Sequence, residues 1–220
     1  MKIKTPLSKN RVRTHLTYSS WKYVIILLAA IFGWNILYTM TAYRSPENLR
    51  VDVYIQSGTA NADTVDTFFK GIWDKEIPDM ETVESVLLTS SASSDPYANM
   101  QLSVYIMARE GDIYMLHSSD FKNYAAQGAF IDLTPYVSNG MLNIEGIDTA
   151  AGYVATVDYE GIPTGEKQFF GIPAKLLTGL KTELNIYHED LIIGVTSFSG
   201  NEENTVKFLN GLLEACRPAQ

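Results

Sequence analysis

From Tyr23 to Met40 the chain reads YVIILLAAIFGWNILYTM without one charged side chain. A run so long and apolar must be kept from water, either by lipid or by a deep core. No polar residue alternates through it, as the solvent face of a core helix would require. Extended to residues 21–43, it comes close to the ~20 residues that a spanning helix needs. Trp21 and Tyr23 at one end and Tyr43 at the other supply rings suited to the two membrane–water interfaces. Trp34 and Asn35 lie inside the run. Asn35 is its one strongly polar residue, tolerable in a helix centre or as a contact to another helix. These five residues are the expected membrane anchor.

Charge sets the direction. Lys2, Lys4, Lys9, Arg11, Arg13 and Lys22 all precede the run and no acid accompanies them. The positive-inside rule then puts residues 1–20 in the cytoplasm and everything after the helix outside. A cleaved signal peptide begins in the same way. Here, however, the basic region is long and the exit LYTMTAYRS lacks a small-x-small cleavage site, which favours an uncleaved anchor. Of the 17 Lys+Arg in the chain, removing those six leaves 11 against 25 Asp+Glu, about -14 for the remainder. A domain so acidic repels nucleic acid and anionic lipid, so neither is an expected partner of it.

The sequence divides into a basic tail (1–20), the helix (21–43), a polar linker (44–50) and an extracytoplasmic domain (51–220), long enough for one core and short for two. Cys216 is the only cysteine, which excludes an intrachain disulfide and a lipid-carrying cysteine beside the apolar run. No Asn-x-Ser/Thr acceptor occurs. Within the domain, VDVYIQ (Val51–Gln56) reads as a strand. Asp63 is then expected to cap a helix with Val65, Phe68, Phe69, Ile72 and Trp73 on one face. TVESVLL (Thr82–Leu88) is a second strand. Asp95-Pro96 opens a second helix, with Tyr97, Met100, Val104, Met107 and Ala108 expected inward. DIYML (Asp112–Leu116) is a third strand, and Asp120–Gln127 a short helix. Such alternation predicts a mostly parallel α/β sheet. Further on, QFFGIP (Gln168–Pro173) and DLIIGVT (Asp190–Thr196) read as strands, and Ala174–Asn185 as a ribbon or a short helix. Asn201 is expected to cap a last helix that buries Val206, Leu209, Leu213 and Cys216, with the thiol packed as a small apolar group.

In a parallel sheet, ligands bind outside the carboxyl ends of the strands. The loops there carry Ser57, Gly58 and Thr59, then Ser90 and Ser91, then His117, Ser118 and Asp120. These groups suit hydrogen bonds to a small neutral polar solute, a sugar or peptide. Turn and cap chemistry alone would place the same residue types there. Catalysis has little support. His15, His117 and His188 stand apart without zinc-ligand spacing, and neither a nucleophile elbow nor a phosphate loop is present, so no metal, cofactor or catalytic residue is expected.

The order of segments resembles a known family. GDIYMLHSSDFKNYAAQGAFIDLTPYV (Gly111–Val137), EKQFFGIP (Glu166–Pro173) and LIIGVTSFSGNEENTVKFLNGLLE (Leu191–Glu214) are similar, in order and spacing, to stretches of the extracellular solute-binding proteins of ABC importers (the type 2 periplasmic-binding fold). Members usually carry a second α/β lobe after the GIP strand. Here only Ala174–Glu189 intervenes, so the resemblance implies a single lobe, or one lobe and a reduced remnant of the other. It implies a ligand-binding or accessory module working beside an integral membrane protein in a transport complex. A docking subunit that has lost its ligand, or a sensor ectodomain signalling through the membrane helix, are the alternatives.

Overall fold

The computed structural model describes residues 9–43, 45–88, 96–158 and 160–218, with side chains at all of these except 9–12, 16 and 96–99. The chain divides into two compact units, Met1–Arg44 and Ser45–Gln220. The first is one helix, α1 (Lys9–Thr41). Its segment Thr17–Thr41, 25 residues at a mean hydropathy of 1.9, is by length and composition able to cross a membrane, and none of it is buried in the protein. Trp21, Tyr23, Trp34 and Asn35 stand exposed on it, and Tyr43 lies two residues past its end.

The second unit is built on a five-stranded sheet. Its strands are β1 (Arg50–Gln56), β2 (Thr82–Leu88), β3 (Ile113–His117), β6 (Ile172–Pro173) and β7 (Leu191–Val195), in the order β2-β1-β3-β7-β6. β1 runs parallel to both β2 and β3, while β7 is antiparallel to β3 and β6 antiparallel to β7. The expected mostly parallel sheet is therefore present, with one strand reversed. A separate two-stranded ribbon pairs β4 (Tyr153–Val154) with β5 (Gln168–Phe169). QFFGIP is accordingly two strands in two sheets, broken at Phe170-Gly171.

Alternation along each strand feeds two cores, as the two-residue period demands. Val51, Val53, Ile55, Ile113, Met115, Leu191, Ile193 and Val195 face one side, where they meet α2 (Ala62–Glu76) and α7 (Glu202–Cys216). Tyr54, Tyr114, Leu116 and Ile192 face the other, against α3 (Pro96–Met107) and α4 (Ser118–Ala126). Phe69 of α2 and Phe208 of α7 meet edge to face at 5.4 Å, and Gly211 of α7 lies against Ile72 and Glu76 of α2. The expected inward residues of α7 are all buried, and burial pushes the Cys216 thiol up to about 12.

Several local expectations need correction. Asn61, not Asp63, caps α2, its Oδ1 accepting from the Thr64 N–H at 3.3 Å; Asp63 sits in the first turn, favourable to the helix dipole. Asn201 stands at the N-cap of α7 without a side-chain cap bond, its amide donating instead to the Asn48 carbonyl. The face of α3 is turned: Leu102, Tyr105 and Ile106 pack inward while Met100, Val104 and Met107 are exposed. The helix is apolar on nearly every side, so periodicity had no polar face to orient it. The side chain of Tyr97 and the cap residue Asp95 fall outside the described parts. Ala174–Asn185 resolves as short helices, a 3-10 turn Ala174–Leu176 and α6 (Gly179–Thr182), and α5 is the single turn Thr134–Ser138.

Candidate functional site

Because β1, β2 and β3 are parallel, their carboxyl ends share one edge of the sheet. The reversal of β7 brings its amino end to that same edge, Leu191 pairing with His117. β3 passes directly into α4, so His117-Ser118-Ser119-Asp120 is a strand end and a first helical turn, not the loop expected. Ser118 is helical, and neither it nor Ser119 caps α4.

Gln56, the last residue of β1, holds this junction. It is buried at 2% exposure, and its amide is satisfied on both sides. Nε2 donates to Asp120 Oδ2 at 2.7 Å, and Oε1 accepts from the His117 N–H at 2.8 Å. On the far side, the Ser118 N–H donates to the Asp190 carbonyl at 2.9 Å, and His117 Nδ1 lies 3.6 Å from Asp190 Oδ2. Asp120, in the first turn of α4, also complements the positive end of that helix.

A cleft of about 280 Å3 opens beside this junction, lined by Ser118, Asp148, Lys175, Glu189, Asp190 and the apolar Ile147, Ala151 and Leu176, among others. Of the expected site residues, Ser118 alone lines it, while His117 lies beside the lining residue Asp190. Ser57 accepts from the Thr59 N–H at 3.4 Å. Thr59 is engaged elsewhere, its Oγ1 donating to the Asn185 carbonyl at 2.6 Å and its carbonyl accepting from Asn185 Nδ2 at 3.0 Å. Gly58 and Thr59 are exposed, and Ser90 and Ser91 lie outside the described residues. Sequence reasoning missed Gln56, Lys175, Glu189 and Asp190. Gln56 was legible in principle, as a polar residue ending an apolar strand. Asp190 was not, because nothing in DLIIGVT reveals which way the strand runs.

A second polar cleft of about 270 Å3 lies where β1 and β3 begin, lined by Glu47, Arg50, Asp52, Glu110 and Asp112 among others. Asp112 is buried and ties three segments. Oδ2 accepts from the Asp52 N–H at 2.8 Å, Oδ1 from Ser199 Oγ at 2.6 Å, and its carbonyl from the Thr196 N–H at 2.9 Å. Its role is to fasten strands. Burial pushes the Asp52 carboxyl up to about 6; Asp112, Glu84 and Glu110 add to this, and Arg50, 3.1 Å away, opposes it. Asp52 Oδ1 is buried without a hydrogen-bond partner.

A carboxyl that binds its proton more tightly when folded stabilises the fold below its unfolded value and loses that contribution as pH rises through the folded one. Asp52 therefore favours the folded state most below pH 3.8 and least above about pH 6. Asp52→Asn is expected to raise the melting temperature relative to wild type at pH 7.5, with the difference closing toward pH 4. A melting series over that range checks it, and a variant less stable at pH 7.5 would contradict it.

Among the described residues, no group of three or more His, Cys, Asp or Glu is placed to hold a metal ion.

No protein-family model matches the chain, and no curated protein matches it. Solved structures do. A family 1 extracellular solute-binding protein from Alicyclobacillus acidocaldarius is similar at 15% identity and a TM-score of 0.42, over 60% of this chain and 29% of that one. An ABC substrate-binding protein of Listeria monocytogenes, solved with cycloalternan, is similar at 21% identity and 0.37, over 56% and 28%. The galacto-N-biose-/lacto-N-biose I-binding protein of Bifidobacterium longum, solved with lacto-N-biose, is similar at 16% identity and 0.34, over 60% and 29%. The chain thus spans less than a third of the length of these proteins, and what it is similar to is one part of an extracellular solute-binding protein.

Proposed function

We propose that this chain is a membrane-anchored, extracytoplasmic solute-recognition module that binds a small polar solute at the carboxyl edge of its sheet and works as a subunit of a membrane transport complex. The observation that carries the reading is the junction Gln56–His117–Asp120–Asp190. Four side chains, from the ends of β1 and β3, the first turn of α4 and the turn before β7, are pre-set beside an open cleft whose walls mix carboxylates, one lysine and apolar surface. Of the four, Asp190 lines the cleft itself, beside Ser118, Glu189 and Lys175, and a few polar groups set in a partly apolar hollow are what small-ligand sites present. The anchor half of the reading is supported by α1, whose exposed Ile25, Leu27, Ile31, Phe32 and Leu37 need an apolar solvent. The basic residues before it favour a cytoplasmic amino terminus. Asn35, exposed on the same helix, is where another membrane helix would find a hydrogen bond.

One preparation tests both halves. The full chain is expressed, its membranes are extracted at alkaline pH, and the detergent-solubilised protein is screened by thermal shift against sugars, amino acids and short peptides. Retention in the pellet at full length is expected; a shortened, released species would mean a cleaved leader. A ligand at a hundred times its Kd should stabilise the folded state by ~2.7 kcal/mol. Lys175→Ala, at an exposed position on the cleft wall, should weaken that ligand by about ten- to a hundredfold while leaving the unliganded melting temperature in place. A cooperatively melting sample with no shift across the panel would favour the docking subunit instead.

A further inference from the structure

The two edges of the sheet are unlike. At one, β6 offers two residues and stops at Pro173. At the other, β2 offers seven, Thr82–Leu88, matched residue for residue with β1 on its inner side and so free of any bulge. Edge strands are ordinarily blunted by lysine, proline or a bulge. TVESVLL has none of these, and its single charge is Glu84. Among the described residues, Val83 to Leu87 make no backbone hydrogen bond beyond the ladder with β1. α3, which packs on the face of β2 that carries Val86, leaves Met100, Val104 and Met107 at 66%, 54% and 81% exposure, a single stripe at helical spacing.

We propose that β2 is the surface through which a second copy of this chain pairs, antiparallel about a two-fold axis at Ser85, to give one continuous ten-stranded sheet. The strand is complementary to itself in that register. Ser85 meets Ser85, Val83 meets Leu87 on one face, and Glu84 meets Val86 on the other, so no like charges of the strand itself are directly opposed; the Ser85 hydroxyl donates to the Asp66 carboxylate of α2 on its own copy. Centring the axis on Glu84 would instead set two carboxylates against each other, which is unfavourable. A two-fold axis normal to the sheet keeps each face continuous, so the two α3 stripes lie on the same side and flank the joint. A helix shared by all copies and confined to one membrane would raise their effective concentration. The inference stands apart from the solute cleft, which lies at the strand ends.

The test uses the full chain in detergent or nanodiscs. Opposed residues on antiparallel strands have Cα atoms ~4.5–5.5 Å apart, within disulfide reach. Ser85→Cys should therefore give a disulfide dimer on mild oxidation. Val83→Cys should not, because its own copy would lie about four residues, ~14 Å, along the strand. The native Cys216 is buried and does not compete. A second pair of variants is insensitive to a general loss of folding. Val86→Lys and Val86→Glu load the same half-buried position, but one faces Glu84 with an opposite charge and the other with a like charge. Sedimentation should show the lysine variant dimerising about tenfold or more tightly than the glutamate variant. Absence of the Ser85 cross-link, equal cross-linking through Val83→Cys, or identical association of the two Val86 variants would overturn the proposal. So would a cross-linked species of foreign mass, which would give the edge to another protein's strand.

Discussion

Phe121→Ala is expected to remove about 3–5 kcal/mol of stability, the cost of emptying a large buried aromatic site. Phe121 is fully buried on α4 and stacks on Phe130 at 4.8 Å. Its ring fills a hollow that two glycines leave. A β-carbon at Gly171 would come within 2.4 Å of it, and one at Gly194 within 2.8 Å. Two walls of that hollow are backbone, at Gly194 of β7 and Gly171 before β6, and these cannot collapse inward as side chains would. For a domain of this size the loss amounts to a fall of roughly 10 °C in melting temperature. Chemical and thermal unfolding followed by near-ultraviolet circular dichroism measure it. A loss below about 1 kcal/mol, a value typical of surface positions, would mean the ring does not fill that space. Because Phe121 begins one residue after Asp120, the same variant should loosen the junction that Gln56 holds.

Gly152→Ala should be comparably severe for the opposite reason. A methyl group there would sit 1.7 Å from the Gly171 carbonyl oxygen, an overlap that only backbone movement relieves. The Gly152 carbonyl meanwhile accepts from the Phe170 N–H at 3.0 Å, so the two segments are tied at the point of closest approach. Overpacking costs ~1–3 kcal/mol where side chains give way, and more where they cannot, so a loss of about 3 kcal/mol or above is expected. Ala151 and Pro173 on either side line the cleft. Strain at this contact is therefore passed to the cleft wall, and any protein that still folds should have a distorted cleft before it loses its sheet. Wild-type melting behaviour in the alanine variant would show that the two backbones do not touch.

The sequence was most legible where one periodicity dominated. β1, β2, β3 and α2 announce themselves because Val51-Val53-Ile55 alternate and Val65, Phe69 and Ile72 recur at helical spacing. α7 was legible for the same reason. α3 existed where expected, yet its inward face was misread, because Leu102, Val104, Tyr105, Ile106 and Met107 leave no polar stripe to compare against. QFFGIP reads as one apolar run but is split between two sheets, a break decided by the contact of Gly171 with Gly152 nineteen residues away. The site was legible only as a region. His117, Ser118 and Asp120 do gather at the expected edge, while Thr59 spends its hydrogen bonds on Asn185. Asp190 and Lys175 arrive through the reversal of β7 and the turn after β6, which are facts of topology that no local pattern carries.

That reversal also governs how the chain can assemble. β1, β2, β3 and the helices between them are nearest neighbours in sequence, so their contacts close short loops. β7 must find β3 across residues 118–190, and the entropy of closing so long a loop is lost before any of its hydrogen bonds form. Until then the inner edge of β3 stays open, and five consecutive buried residues, LIIGV, wait in water. The strand that completes the sheet is thus the one whose delay leaves the nascent molecule most adhesive.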